Sequence, residues 1–154
     1  MAIGNSTHPY LSYTDNIAAS TADVLLLIGR ILLGWLFLKA GWDKVMNIAG
    51  FTGYLTNLKV PSPGFWAWPA AISEVVIGAT LILGLATRYA ALFTIVYVVI
   101  AIALAHRYWE YPAAQQGNQF NHFQKNLAII GGALVLFVAG AGRFSLDSIL
   151  AKRR

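Results

Sequence analysis

Four long apolar stretches, separated by polar or turn-forming segments, dominate the pattern of the chain. The first runs from about residue 23 to 45, and the others cover about 67–86, 89–105 and 123–142. Each is close to the ~20 residues that an α-helix needs to cross a hydrocarbon core about 30 Å thick. The pattern predicts an all-α fold, an integral membrane bundle of four helices with both chain ends on the same side.

The segments flanking these spans are polar. Residues 1–21 contain no Lys or Arg, which argues against a cleavable signal peptide at this point. Ser20 or Thr21 is the expected N-cap of the first span. The transmembrane domain is therefore predicted to cover 22–147, followed by a basic C-terminal tail over 148–154.

The connections between the spans differ in length. In the first connection, apolar residues recur at helical spacing, which predicts a short helix lying in the membrane interface before Pro61 ends it. These residues are Ile48, Phe51, Leu55 and Leu58. The second connection is a tight turn at Thr87 and Arg88, and the third, residues 107–124, is polar and aromatic.

Composition supports the membrane assignment. Hydrophobic residues make up 58% of the chain and charged residues 11%, against about 45–50% and 25% in soluble domains. The net charge is +5, but the basic residues lie near span ends, where lipid headgroups are their expected partners, so no nucleic acid is expected. Cysteine is absent, which excludes disulfides and thiolate metal sites.

Lys and Arg also predict the orientation in the membrane. One side holds Arg88, Arg143, Lys152, Arg153 and Arg154, and the other holds Lys44, Lys59, Arg107 and Lys125. The compact basic tail favours both termini in the cytoplasm. The opposite side is rich in Trp and Tyr, as in an aromatic belt at a membrane boundary.

Charged residues inside the spans are costly and therefore informative. Arg30 lies about eight residues inside the first span, too deep to reach water, so it needs an internal partner. Glu74 is the acidic residue of the second to fourth spans, and we expect it to approach Arg30. Lys44 shares a helical stripe with Arg30 and Phe37. Such a group is either an ion pair that fixes helix register or a site that handles protons or a ligand.

A secondary polar cluster is expected near the outer boundary. Lys39 and Asp43 are four residues apart and can pair, and Lys125 follows His122 by one turn. His106 ends the third span. With the third histidine, His8, far from any span, no set of three good ligands forms, so the sequence predicts no metal and no covalently bound cofactor.

Several motifs together resemble the DoxX family of small four-helix membrane proteins. They are Arg30-Ile-Leu-Leu-Gly34 with Phe37, Gly41 and Lys44; Pro69, Glu74 and Gly78; Gly84-Leu-Ala-Thr-Arg88; Ala105-His106; and Gly140-Ala-Gly-Arg-Phe-Ser-Leu-Asp147. The resemblance implies a bundle without its own prosthetic group that associates with redox proteins, since family members resemble the membrane subunit of thiosulfate:quinone oxidoreductase. It also implies that Arg30, Lys44, Glu74 and His106 match recurring family positions.

These observations leave three functional hypotheses. The first is a membrane subunit of a redox complex, which docks a catalytic partner and offers a quinone site but has no self-contained catalytic site. The second is a non-catalytic subunit that assembles or stabilises a larger complex. The third is a small transporter, which the lack of broken-helix signals and inverted repeats disfavours.

Overall fold

Most of the described chain is helical. The computed structural model describes residues 9–152; His8, the rest of residues 1–8, Arg153 and Arg154 lie outside the described residues. The helices are α1 (Pro9–Met46), α2 (Ile48–Asn57), α3 (Pro63–Leu83), α4 (Thr87–Ala105), α5 (Ala113–Ala139) and α6 (Leu146–Ala151), with a 3₁₀ turn at Tyr108–Glu110. In the described range, α1, α3, α4 and α5 are long and apolar enough to cross a membrane, which confirms the predicted helical membrane bundle.

Helix α1 begins far earlier than the hydropathy pattern predicts. It starts at Pro9 rather than near residue 23, so much of the polar N-terminal segment is helical. The expected N-cap is wrong: Ser20 Oγ and Thr21 Oγ1 lie inside the helix and donate to the carbonyl of Ile17 at 3.0 and 2.7 Å. Hydroxyls that bond back one turn fit a helix interior as well as a cap.

Helix α5 shows the same effect. It begins at Ala113, directly after Pro112, about ten residues before the predicted start of the fourth span. Its first turns are polar, so hydropathy alone does not mark them. The third connection is therefore much shorter than the predicted loop of residues 107–124.

Glycines set the register between α1 and α3. A Cβ on Gly34 would lie 2.7 Å from the carbonyl oxygen of Gly78, and a Cβ on Gly78 would lie 2.7 Å from that of Gly34. Further along, a Cβ on Gly41 would lie 2.7 Å from the backbone nitrogen of Val75. The two helices are antiparallel and touch backbone to backbone, the usual role of small residues in membrane helices.

The four long helices pack as two pairs. α1 lies against α3 and α4 lies against α5, whereas α1 and α5 scarcely touch. A buried apolar cluster joins the two pairs. It comprises Phe37, Ile77, Leu81, Ala90, Val98, Ile129 and Leu136.

Helix α2 is the short helix predicted between the first two spans. The Asn47 side chain caps it by accepting a hydrogen bond from the backbone of Gly50 at 3.0 Å. Leu55 is buried, and the helix packs mainly on α3 and also on α1. This places α2 beside the C-terminal end of α1, where Lys44 lies.

Candidate functional site

The predicted pairing of Arg30 with Glu74 is wrong. Since Gly34 faces Gly78 and Gly41 faces Glu74 and Val75, the antiparallel register places Arg30 beside Gly84. Gly84 is ten residues from Glu74, or about 15 Å along a helix axis. The predicted stripe is real on α1, but its two cations meet different parts of α3.

Glu74 instead forms a buried cluster with two other side chains. Glu74 is 8% exposed and lies in the middle of α3. Glu74 Oε2 accepts a hydrogen bond from Lys44 Nζ of α1, and Glu74 Oε1 accepts one from the Tyr97 hydroxyl of α4 at 2.8 Å. We call Lys44, Glu74 and Tyr97 the Glu74 cluster; it joins three of the four membrane helices.

Aromatic rings surround this cluster. The ring of Phe51 on α2 lies 5.4 Å from Lys44 Nζ, in cation–π range. Phe37 meets Tyr97 edge to face, with ring centroids 6.4 Å apart. The Lys44 side chain remains 26% exposed and that of Glu74 10% exposed, so Lys44 is the more accessible member of this ion pair.

Sequence reasoning missed Tyr97, although a signal was present. Its hydroxyl lies in the middle of an otherwise apolar span, and a buried tyrosine hydroxyl normally finds a hydrogen-bond partner. Glu74 is the acidic residue of the second to fourth spans. A search for the partner of either group would have proposed the other.

Arg30 lies in a different environment. It is fully buried, at 0% exposure, and its Nη2 donates to the backbone carbonyl of Phe144. Its Nε and Nη1 have no hydrogen-bond partner among the described residues. Gly84, with φ of +64°, leaves the space that the guanidinium fills.

The segment Gly140–Asp147 ties the helices together at this end. Asp147 accepts hydrogen bonds from the backbone N–H groups of Ala86 and Thr87 at 2.7 and 2.9 Å, and its own N–H donates to the carbonyl of Gly84 at 2.9 Å. Burial acts to raise the pKa of Asp147, but these hydrogen bonds and the charge of Arg30 outweigh it and leave the pKa below its usual value.

The same segment also binds α1, and two predicted orientation markers lie at this end of the bundle. The Arg143 backbone N–H donates to Asp23 Oδ1 at 2.7 Å. Arg88 Nε donates to the carbonyl of Phe137 at 3.0 Å, at the C-terminal end of α5. Arg88 and Arg143 therefore lie at one end of the bundle; which side of the membrane that end faces stays a prediction.

The predicted secondary cluster divides into two parts. Lys39 Nζ lies 2.5 and 2.7 Å from the carboxylate oxygens of Asp43, with both side chains more than half exposed. His122 stacks on His106 with ring centroids 5.1 Å apart, and its Nδ1 lies 3.4 Å from Lys125 Nζ.

His106 thus belongs with His122 rather than with the Glu74 cluster. Its Nδ1 lies 3.0 Å from Gln119 Oε1. Within residues 9–152, no group of three His, Cys, Asp or Glu side chains is arranged to hold a metal ion. The two imidazoles form a stacked pair whose neighbours are an amide and an ammonium group.

Comparison with known proteins gives one family. The DoxX family model matches residues 25–107. The inner membrane protein YphA of Escherichia coli is 35% identical over 137 residues, which cover 89% of this chain and 96% of YphA. The inner membrane protein YqjF of the same organism is 35% identical over 131 residues, covering 85% of this chain and 95% of YqjF. No solved structure matches the chain.

Proposed function

The chain belongs to the DoxX family of membrane proteins, and from this premise we propose that it is the membrane subunit of a quinone-linked redox complex. In this role it sits in the prokaryotic cytoplasmic membrane with both termini in the cytoplasm, docks a catalytic partner and offers a site for a quinone headgroup. The relatives YphA and YqjF are both named inner membrane proteins, which supports the choice of membrane.

The Glu74 cluster is the observation that carries this proposal. A carboxylate held between an ammonium and a phenol, inside a membrane bundle, is expensive to maintain and is functional by default. Lys44 Nζ and the Tyr97 hydroxyl are hydrogen-bond donors of the kind that quinone carbonyl oxygens accept. Glu74 is a carboxylate that can take up and release a proton beside them.

The chemistry divides between this chain and its partner. Reduction of a quinone to a quinol consumes two electrons and two protons. Cysteine is absent from the chain, and no group among its described residues carries electrons, so the partner must bring the redox centre. The part assigned to this chain is to bind the headgroup and to pass protons through Glu74.

Arg30 has no part in this quinone site. It lies about 15 Å from Glu74 along α3, beyond the reach of one headgroup that contacts the cluster. The site therefore consists of Lys44, Glu74 and Tyr97 rather than the predicted set of Arg30, Lys44 and Glu74.

A non-catalytic assembly subunit is the second candidate. The contacts of Asp147 with the turn before α4, and of Arg143 with Asp23 on α1, favour it because they build a rigid scaffold. In that case the Glu74 cluster fixes helix register and does no chemistry.

Gentle purification from native membranes, followed by identification of co-purifying proteins and quinone, separates the two candidates. We expect a dehydrogenase whose quinone reduction needs this chain. Glu74→Gln should lower that activity while the complex stays assembled. Asp43→Asn is the matched control, since it removes an exposed carboxylate on α1 and should leave activity unchanged. A fully active Glu74→Gln complex would leave only the assembly role.

A further inference from the structure

An open groove runs between α1 and α5, on the side of the bundle where these helices scarcely touch. Its volume is about 780 Å³, within the range of small-molecule sites. Apolar side chains line most of it. Glu74, Lys44 and Tyr97 are not among the lining residues, so the groove is separate from the Glu74 cluster.

Glycines give the groove its depth. Gly29 on α1 and Gly131 and Gly132 on α5 line it, and a Cβ on any of them would meet no atom within 4 Å. These glycines differ from Gly34 and Gly78, where a Cβ would strike the opposite backbone. Helix packing within this chain therefore does not account for the small residues of the groove.

Two cations border the groove. Arg30 forms part of its floor, fully buried and with Nε and Nη1 unpartnered among the described residues. Lys125 lies at one end of the groove and is exposed, whereas Arg30 lies near its middle. No Asp or Glu is among the lining residues in the described part of the chain. Asp147, outside the groove, already opposes the charge of Arg30, so the exposed Lys125 is the cation that an occupant meets, and it favours an anionic occupant.

The geometry points to a single anionic phospholipid as the occupant, and we propose that this groove is a phospholipid site. The lipid phosphate lies at Lys125, and one acyl chain runs along the glycine-lined floor past Arg30 towards Ala139. From Lys125 to Ala139 the groove is fourteen residues long, about 21 Å at 1.5 Å per residue. One leaflet contributes about 15 Å of a hydrocarbon core about 30 Å thick, so the groove is long enough for an acyl chain of one leaflet.

A second copy of the chain fits the groove less well. Two copies facing each other through this surface would bring Arg30 and Lys125 of each into the same interface. Like charges opposite each other are unfavourable. An apolar partner helix would offer no negative charge to the exposed Lys125.

Native mass spectrometry of the full chain tests the proposal. The protein, in mild detergent, is mixed with equal amounts of phosphatidylglycerol and phosphatidylcholine. We expect one retained phosphatidylglycerol, preferred over phosphatidylcholine by about fivefold, the effect of about one cation near an anionic lipid. Lys125→Gln should abolish the preference, whereas Lys59→Gln, outside the groove, should keep it.

A second variant tests the acyl-chain path. Gly132→Leu places a side chain in the groove, from a position whose Cβ meets no atom within 4 Å, and should prevent retention. Gly117→Leu, also on α5 and also with a Cβ in open space, should not. Equal retention of both lipids, displacement of the lipid by added ubiquinone, retention unaffected by Gly132→Leu, or a dimer mass that replaces the lipid would each overturn the proposal.

Discussion

The Arg30 guanidinium fills the space that a side chain at position 84 would take: a Cβ built on Gly84 would lie 1.6 Å from Arg30 Nη1. Gly84 is also in the left-handed conformation, with φ of +64°, where it ends α3. The glycine is therefore needed twice: for the left-handed turn after α3 and for the space that the buried guanidinium from α1 occupies. This contact, rather than an ion pair with Glu74, is how the protein accommodates Arg30.

Gly84→Ala should therefore destabilise the fold. A non-glycine residue in the left-handed region costs about 1–3 kcal/mol, and the clash with the guanidinium adds to this. The thermal midpoint in detergent, followed by circular dichroism, should fall well below that of the wild type. Gly53→Ala is the control, since its Cβ meets open space on α2; there the midpoint should stay or rise. Equal midpoints for the two variants would contradict the geometry.

Lys44→Met should cost far more stability than Lys39→Met, although both lysines lie on α1. Lys44→Met leaves the buried Glu74 carboxylate without its cation, and breaking a buried ion pair costs about 3–5 kcal/mol. Both side chains of the Lys39–Asp43 pair are exposed, so the loss of this pair should change the unfolding free energy by less than about 1 kcal/mol.

The double variant Lys44→Met/Glu74→Gln checks the cause of that loss. With no uncompensated charge left, it should recover most of the stability lost in Lys44→Met. Equilibrium unfolding in mixed micelles gives all four free energies of the cycle. If the double variant is less stable than Lys44→Met, the buried charge is not the cause.

The helical fold and the number of membrane spans were predictable from the sequence because both follow from apolar runs of membrane length, whereas α6 and the 3₁₀ turn were not predicted. The starts of α1 and α5 were not, since residues 9–22 and 113–122 are polar and their helical state depends on backbone bonding that hydropathy does not register. The short helix α2 was predictable from its spacing, and the structure confirms it between the first two spans.

Pairing across helices was the weaker part of the sequence interpretation. The estimated depths of the two residues in the membrane allowed Arg30 to meet Glu74, because the axial register of α1 against α3 was unknown. That register is fixed by the contact of Gly34 with Gly78, two glycines among several in these spans. The pairing of Tyr97 with Glu74 also depends on how α4 lies beside α3, although both were recognisable in the sequence as polar groups that need partners.

Asp147→Asn should reduce the dependence of stability on acidic pH. The pKa of Asp147 is lowered in the folded protein, below its ordinary value of 3.8. Its contribution is thus fully present above the unfolded pKa and is lost as the pH falls through the lower folded pKa. Thermal unfolding at a series of acidic pH values should show the wild type losing stability relative to Asp147→Asn as the pH falls from about 5 through the unfolded pKa and below it. Parallel curves for the two proteins would contradict this role.

Single-cysteine labelling can decide the orientation, and the chain is suited to it because it contains no native cysteine. Arg88 and Arg143 lie at the end where the segment Gly140–Asp147 meets α1, and we expect that end in the cytoplasm because basic residues are retained there. Trp109 lies after the C-terminal end of α4, at the opposite end of that helix from Arg88. In intact cells, a membrane-impermeant maleimide should therefore label Trp109→Cys and leave Lys152→Cys unlabelled until the membrane is permeabilised. The reverse pattern would invert the assigned topology and place the Glu74 cluster nearer the cytoplasmic surface. Under the proposed function, a partner that delivers electrons from the cytoplasm would then dock on the α2 side of the bundle.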